Sequence, residues 1–292
     1  MKRGGEYIQA IKQIFQVAKW SFIDWLMDIR QIFVLAVLIC ISNYTVMPLL
    51  NMSKDKGVPI NILEPFLANI NSVYIILIIL FCWLVLISDY PKMEGNNGYI
   101  LIRINRITWL IGKILAFVFG AIVYLAELVI VFTARALGSG FFANGWSYLM
   151  RDYMEKYSLE GDIYKIICVV REDIFNHYLP YAAFRKTLVL LLGLLCALGL
   201  VMTAASISKS KLAGLLCNLI LIVGGFLLVQ TGNPSCCWLP VANVMLGEQA
   251  TQLIRLVPKN FSYIYFGVLC AMLFVCCLIL VRWGQVQKDG ER

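Results

Sequence analysis

Six stretches of the chain, near residues 31–50, 71–89, 109–134, 186–206, 212–230 and 263–283, are almost unbroken runs of apolar residues bounded by charges or turn signals. A helix rising 1.5 Å per residue needs about twenty such residues to cross a hydrocarbon core. The pattern therefore predicts six transmembrane helices. Ahead of the first run, Ile8, Ile11, Phe15, Ala18, Phe22, Trp25 and Ile29 recur at steps of three and four, while Gln9, Lys12, Gln13, Gln16 and Lys19 fall on the other face. That spacing predicts a helix within residues 1–30 with a basic face and an aromatic face, suited to the membrane interface. A soluble helix packed on another subunit is the alternative. Thirty residues carrying several charges precede the first run, so it is not read as a cleaved signal peptide.

The segments between the runs divide the rest of the chain. Residues 89–108 carry Pro91, Gly95 and Gly98 as turn signals, then Arg103 and Arg106 in a helical-looking stretch leading into the third span. Those arginines either reach a protein partner or anchor the end of a span. Residues 136–184 form a long hydrophilic insert in which Ile163, Ile166, Ile167, Val170 and Ile174 repeat at helical spacing, predicting one or two short amphipathic helices. Residues 231–262 contain Pro234, Pro240 and apolar Val241–Leu246, too short to cross twice, which suits a re-entrant or surface helix. A tail, 284–292, completes a division into an N-terminal helix, a membrane domain over 31–283 and that tail.

Composition agrees with the pattern: 61% of the 292 residues are hydrophobic and 14% charged, against about 25% charged in a soluble domain. The formal charge of +8 is read as cytoplasmic loops facing anionic headgroups, not as a nucleic-acid surface. Grouping segments by side puts 14 Lys and Arg with 7 Asp and Glu on the side of both termini, and 11 with 10 on the other. Both termini are therefore expected in the cytoplasm. Of ten cysteines, Cys40, Cys82, Cys196, Cys217, Cys270, Cys276 and Cys277 fall in apolar runs and are read as packing residues. Cys168, Cys236 and Cys237 lie outside the runs, where a bridge from Cys168 to one of the pair or free thiols are both open.

The chemistry available is narrow. A single histidine, His177, rules out a two-histidine metal motif, and no P-loop sequence occurs, so no enzyme activity is expected of this chain itself. Glu127 is the acidic residue that falls inside a span, where a carboxylate costs roughly 2.5–3.5 kcal/mol at mid-membrane. It either serves transport, by touching a cation or relaying protons, or is paired or protonated against a neighbouring helix. Arg135, eight residues on, is too far along the helix for a direct pair. Asn218 and Ser206 are read as bridges between helices.

This layout resembles the membrane subunit of ABC-2 type transporters, the small permeases made apart from their ATPases. The resemblance lies in the N-terminal helix, the six spans, and the approach to the third span through Arg103, Arg106, Trp109, Gly112 and Lys113. Pro180-Tyr-Ala-Ala-Phe184 before the glycine-rich fourth span and the apolar segment before the sixth add to it. It implies a dimer of identical or related permeases in the plasma membrane of a bacterial cell, joined to two ATPase subunits that carry the ATP and Mg2+. It further implies that the 89–106 loop, with Asp89, Glu94, Arg103 and Arg106, docks on the ATPase, and that Lys209 and Lys211 make a second contact. The expected cargo is an amphipathic compound or peptide moving outward. Two other readings are a proton-coupled transporter using Glu127 and a non-transporting sensor or assembly subunit.

Overall fold

The computed structural model describes residues 2–91, 104–157, 169–208, 210–249 and 260–290. Its elements are α1 (Lys2–Leu26), α2 (Ile29–Lys56), β1 (Ile60–Asn61), α3 (Glu64–Ile70), α4 (Val73–Ile87), α5 (Arg106–Thr133) and β2 (Gly140–Phe141). They continue with α6 (Tyr148–Tyr157), α7 (Glu172–His177), α8 (Pro180–Ile207), α9 (Lys211–Gln230), α10 (Pro240–Val244), α11 (Leu246–Glu248) and α12 (Phe261–Gly290). Among the described residues the fold is all-α apart from one two-residue parallel ladder between β1 and β2. Among the described residues five helices, α2, α5, α8, α9 and α12, are each long and apolar enough to cross a membrane. The chain is a multi-pass membrane protein.

The second apolar run behaves differently. Residues 71–89 form α4 alone, and α3 stands ahead of the run, bent from α4 by 82°; only as a pair do the two meet the requirements of a sixth crossing. Alone, the 15 residues of α4 rise about 22 Å, short of a hydrocarbon core of about 30 Å. The break has a local cause in Asn69, Asn71 and Ser72. The Asn69 and Asn71 amides donate to the carbonyls of Pro65 and Leu67, so these side chains satisfy the backbone where α3 stops. Ser72 in extended conformation then begins α4.

Between α1 and α2 the chain turns at Met27 and Asp28, and Asp28 caps α2 by accepting the Arg30 N–H at 3.1 Å. Helix α1 lies along α5. Val17 sits where a Cβ on Gly112 would approach within 2.8 Å, and Trp25 covers Gly120, so contact advances in the same sense along both helices. Small residues allow this close approach, which is how helices pack when lipid removes any hydrophobic drive between them. Ala18 and Trp25 of the predicted apolar face are buried there, whereas Ile8, Ile11 and Phe15 remain exposed.

At the centre, Trp83 of α4 stacks on Tyr124 of α5 at 5.4 Å and meets Trp25 edge-on at 6.3 Å. The Trp83 indole donates to the Leu195 carbonyl of α8, and the Tyr124 hydroxyl donates to the Ile79 carbonyl of α4. Four helices are thereby joined around two fully buried aromatic side chains. Asn218 of α9 donates to the Leu198 carbonyl of α8 and so bridges helices, while the buried Ser206 hydroxyl has no partner among the described residues.

One end of the bundle is capped. Ladder β1–β2 joins the loop after α2 to the segment after α5, and Asn61 donates to the carbonyls of Ala143 and Gly145. The Trp146 indole reaches the Tyr178 carbonyl, and the Asn71 side chain accepts the Leu246 N–H. Residues 136–184 thus contribute two short helices, α6 and α7, to a cap built from three loops; 158–168 lie outside the described residues. Apolar Val241–Leu246 is no surface helix, because Val241, Ala242, Val244, Met245 and Leu246 are buried. Among the cysteines, Cys82 and Cys277 are buried, but Cys40, Cys217 and Cys276 are exposed on the bundle, which corrects the reading of all seven as packing residues. Cys236 and Cys237 are buried, and Cys168 lies outside the described residues.

Candidate functional site

At the end opposite the cap, the two flanks of the 89–108 segment are held by the helices around them. Asp89, just beyond α4, pairs with the Arg30 guanidinium, which also donates to Ser88 at 2.8 Å. The next residue, Tyr90, turns inward. Its ring meets Phe117 edge-on at 6.0 Å and its hydroxyl donates to the Lys113 carbonyl of α5. Burial pushes the Tyr90 phenol up, so it remains a donor. On the far flank, Asn105 caps α5 by accepting the Ile107 N–H at 3.1 Å, and Arg106 is the first helical residue. Lys113 is buried with its ammonium 5.9 Å from the ring of Trp109, one turn earlier on α5.

These flanks share a cleft with α1. Ser21, Asp24, Asp28, Arg30, Asp89 and Lys113 all line it. The N-terminal helix, the start of α2, the end of α4 and the start of α5 therefore meet at one place. A push on the 89–108 segment would reach all four helices, because its two ends are attached to different ones. Asp89 carries a structural ion pair there in addition to any contact it offers a partner.

Of the other predicted positions, those described separate from this cluster. Glu94, Arg103 and Lys209 lie outside the described residues. Lys211 opens α9 and is partly exposed. Glu127 is partly buried on α5, and its Oε2 is a buried atom without a hydrogen-bond partner among the described residues. Arg135 instead donates to the Asn43 side chain of α2. His177 is exposed, with Nδ1 2.8 Å from the Asp173 carbonyl.

Two polar clusters in the cap escaped sequence reasoning. Glu64, fully buried at the start of α3, accepts the Ser147 N–H at 2.6 Å, the Ser147 hydroxyl at 2.9 Å and the Asn61 N–H at 3.3 Å. Arg171 pairs with the buried carboxylate of Glu248 at 2.6 Å and with Asp173 at 3.3 Å, joining α7 to α11. A signal for the first exists, since Asn61 and Glu64 stand at capping-box spacing just before Pro65. The second joins residues 77 positions apart and leaves no local mark. No family model, curated protein or solved structure matches the chain.

Proposed function

We propose that this chain is the permease subunit of an ATP-driven transporter of the ABC-2 type, exporting an amphipathic compound or peptide, with ATP hydrolysed on a separate partner. The observation that carries the reading is the joint anchoring of the 89–108 segment. Asp89 is tied to Arg30 of α2, Tyr90 to α5, and the cleft between them is walled by α1. A partner that seized this segment would move helices against one another as rigid bodies, which is what coupling to an ATPase cycle requires.

In this arrangement both termini are cytoplasmic, α1 braces the cytoplasmic part of α5, and the cap faces outward. The permease works as a pair of identical or related chains with two ATPase subunits. Lys209 and Lys211 form the smaller second contact. Charge reversal at Arg103 and Arg106 together is expected to abolish ATP-dependent transport in proteoliposomes while membrane insertion and yield stay at wild-type levels. Unchanged transport by that double variant would remove the coupling role of the segment.

One observation favours a second reading. A Glu127 oxygen without a partner among the described residues suits a proton-coupled transporter, in which Glu127→Gln stops transport driven by a pH gradient and no ATPase is needed.

A further inference from the structure

Helices α5, α8 and α12 touch at defined points and part between them. A Cβ on Gly193 of α8 would stand 3.0 Å from the Phe266 side chain of α12, and one on Gly199 would stand 2.8 Å from the Phe117 ring of α5. At Gly267, one residue after Phe266, a Cβ would meet nothing within 4 Å. The space left over is a groove of about 560 Å³. Its wall includes Phe117, Gly193, Cys196, Phe266, Gly267 and Phe274, and is predominantly apolar, with Tyr263 toward the capped end. A volume of this size lies within the range of about 300–1,000 Å³ that holds small molecules.

The capped end of the groove is basic. Arg185 is exposed one turn before Val189, which lines the groove, and both Arg185 and Tyr178 lie within electrostatic range of the Tyr263 phenol. Lys186 donates to the Tyr178 hydroxyl at 3.0 Å and sits 4.9 Å from the centre of that ring. This contact fixes the direction of the Lys186 side chain without neutralising it. Among the described residues no carboxylate pairs with Arg185 or Lys186.

We propose that the groove holds an acyl chain of a resident anionic phospholipid whose phosphate rests on Arg185 and Lys186. An apolar slot by itself accepts any hydrocarbon chain, and the uncompensated cations at its mouth select the negatively charged headgroup. The guanidinium offers forked donors to phosphate oxygens, and the lysine adds a compact charge beside it. The inference rests on the chain's place in a membrane and stands whether or not it is a permease.

The test is native mass spectrometry of the delipidated full-length protein with phosphatidylglycerol or phosphatidylcholine of the same acyl chains added. The wild type is expected to retain phosphatidylglycerol with a preference of roughly tenfold. Arg185→Glu, at an exposed position, should bring that preference close to parity. Gly267→Leu, which fills the open part of the groove, should lower retention of both lipids, with circular dichroism and thermal stability confirming the fold of each variant. Equal retention of the two lipids by the wild type would overturn the proposal, as would wild-type retention of phosphatidylglycerol by Gly267→Leu. A lipid-free dimer that Gly267→Leu splits into monomers would also overturn it, by giving the groove to a second copy of the chain.

Discussion

The two ends of the bundle are held by different chemistry. At the capped end, most links are buried polar contacts, Glu64 to Ser147, Asn61 to two carbonyls after β2 and Asn71 to Leu246, with Arg171 reaching the buried Glu248 and Lys56 pairing with Asp152 nearer the surface. At the other end, Arg30 and Asp89 keep side-chain exposures of 33% and 45%, and Tyr90 provides the buried link to α5. Buried hydrogen bonds resist rearrangement because an orphaned partner has no water to replace it, whereas an exposed ion pair exchanges with solvent at little cost. The difference points to a fixed cap and a yielding opposite end, which is the distribution expected of a bundle moved from that opposite end.

The largest expected effect is at Glu64. Glu64→Ala leaves the buried N–H groups of Ser147 and Asn61 without an acceptor, at roughly 1–3 kcal/mol each. Thermal unfolding in detergent should show the lowest midpoint of the series, and Glu64→Gln should recover much of the loss, because its amide oxygen still accepts from Ser147. A wild-type midpoint for Glu64→Ala would mean that the cap does not depend on this residue.

Next comes Arg171→Met, which strands Glu248, a carboxylate with 6% side-chain exposure. Because Arg171 itself keeps 28% exposure, the expected cost is about 1–3 kcal/mol, less than for a fully buried pair. Adding Glu248→Leu should restore part of the stability, as a double-mutant cycle would reveal. At the bundle centre, Trp83→Phe removes the donor to the Leu195 carbonyl while keeping a ring on Tyr124, and should cost about 1 kcal/mol.

The smallest effect on stability belongs to Asp89→Asn, below about 1 kcal/mol for an exposed pair. The same variant should nevertheless reduce ATP-dependent transport, since it loosens one anchor of the segment. Here the comparison between the ends is sharpest: a cap variant changes stability, and this one changes coupling. A fall in stability for Asp89→Asn as large as that for Glu64→Ala would erase the distinction.

Much of this architecture was legible in the sequence because crossing a bilayer demands about twenty apolar residues in a row, and such runs show whatever they pack against. The interiors of α2, α5, α8, α9 and α12 follow directly. Helix α3 was not read from the sequence because it lies ahead of the apolar run 71–89, which begins at the bend. Asn69, Asn71 and Ser72 mark it, and their short side chains act by bonding backbone carbonyls or starting a helix, which hydropathy does not register. The face of α1 was half legible: Ala18 and Trp25 pack as the spacing predicts, but Val17 and Ser21 share the buried side because the partner is the glycine row of α5.

The candidate site divides in the same way. Asp89 and Arg106 stand at the flanks of the anchored segment, as their positions between spans suggested. Arg30 as the partner of Asp89 lies 59 residues away, and Tyr90 as the inward anchor looked like one more loop aromatic. Glu127 was found from hydropathy because a charge interrupts an apolar run, whereas Glu64 sits beside polar loops where a carboxylate is unremarkable in sequence and costly only once buried.

The central claim is that the 89–108 segment receives a nucleotide-hydrolysing partner. Its most direct test is affinity purification of the tagged chain in mild detergent, with quantitative mass spectrometry of the proteins recovered. The account predicts a soluble P-loop ATPase in stoichiometric amount, lost when residues 89–106 are altered and retained when Glu64 or Arg171 is changed. Recovery of the chain alone, active in proteoliposomes under a proton gradient and silenced by Glu127→Gln, would contradict it.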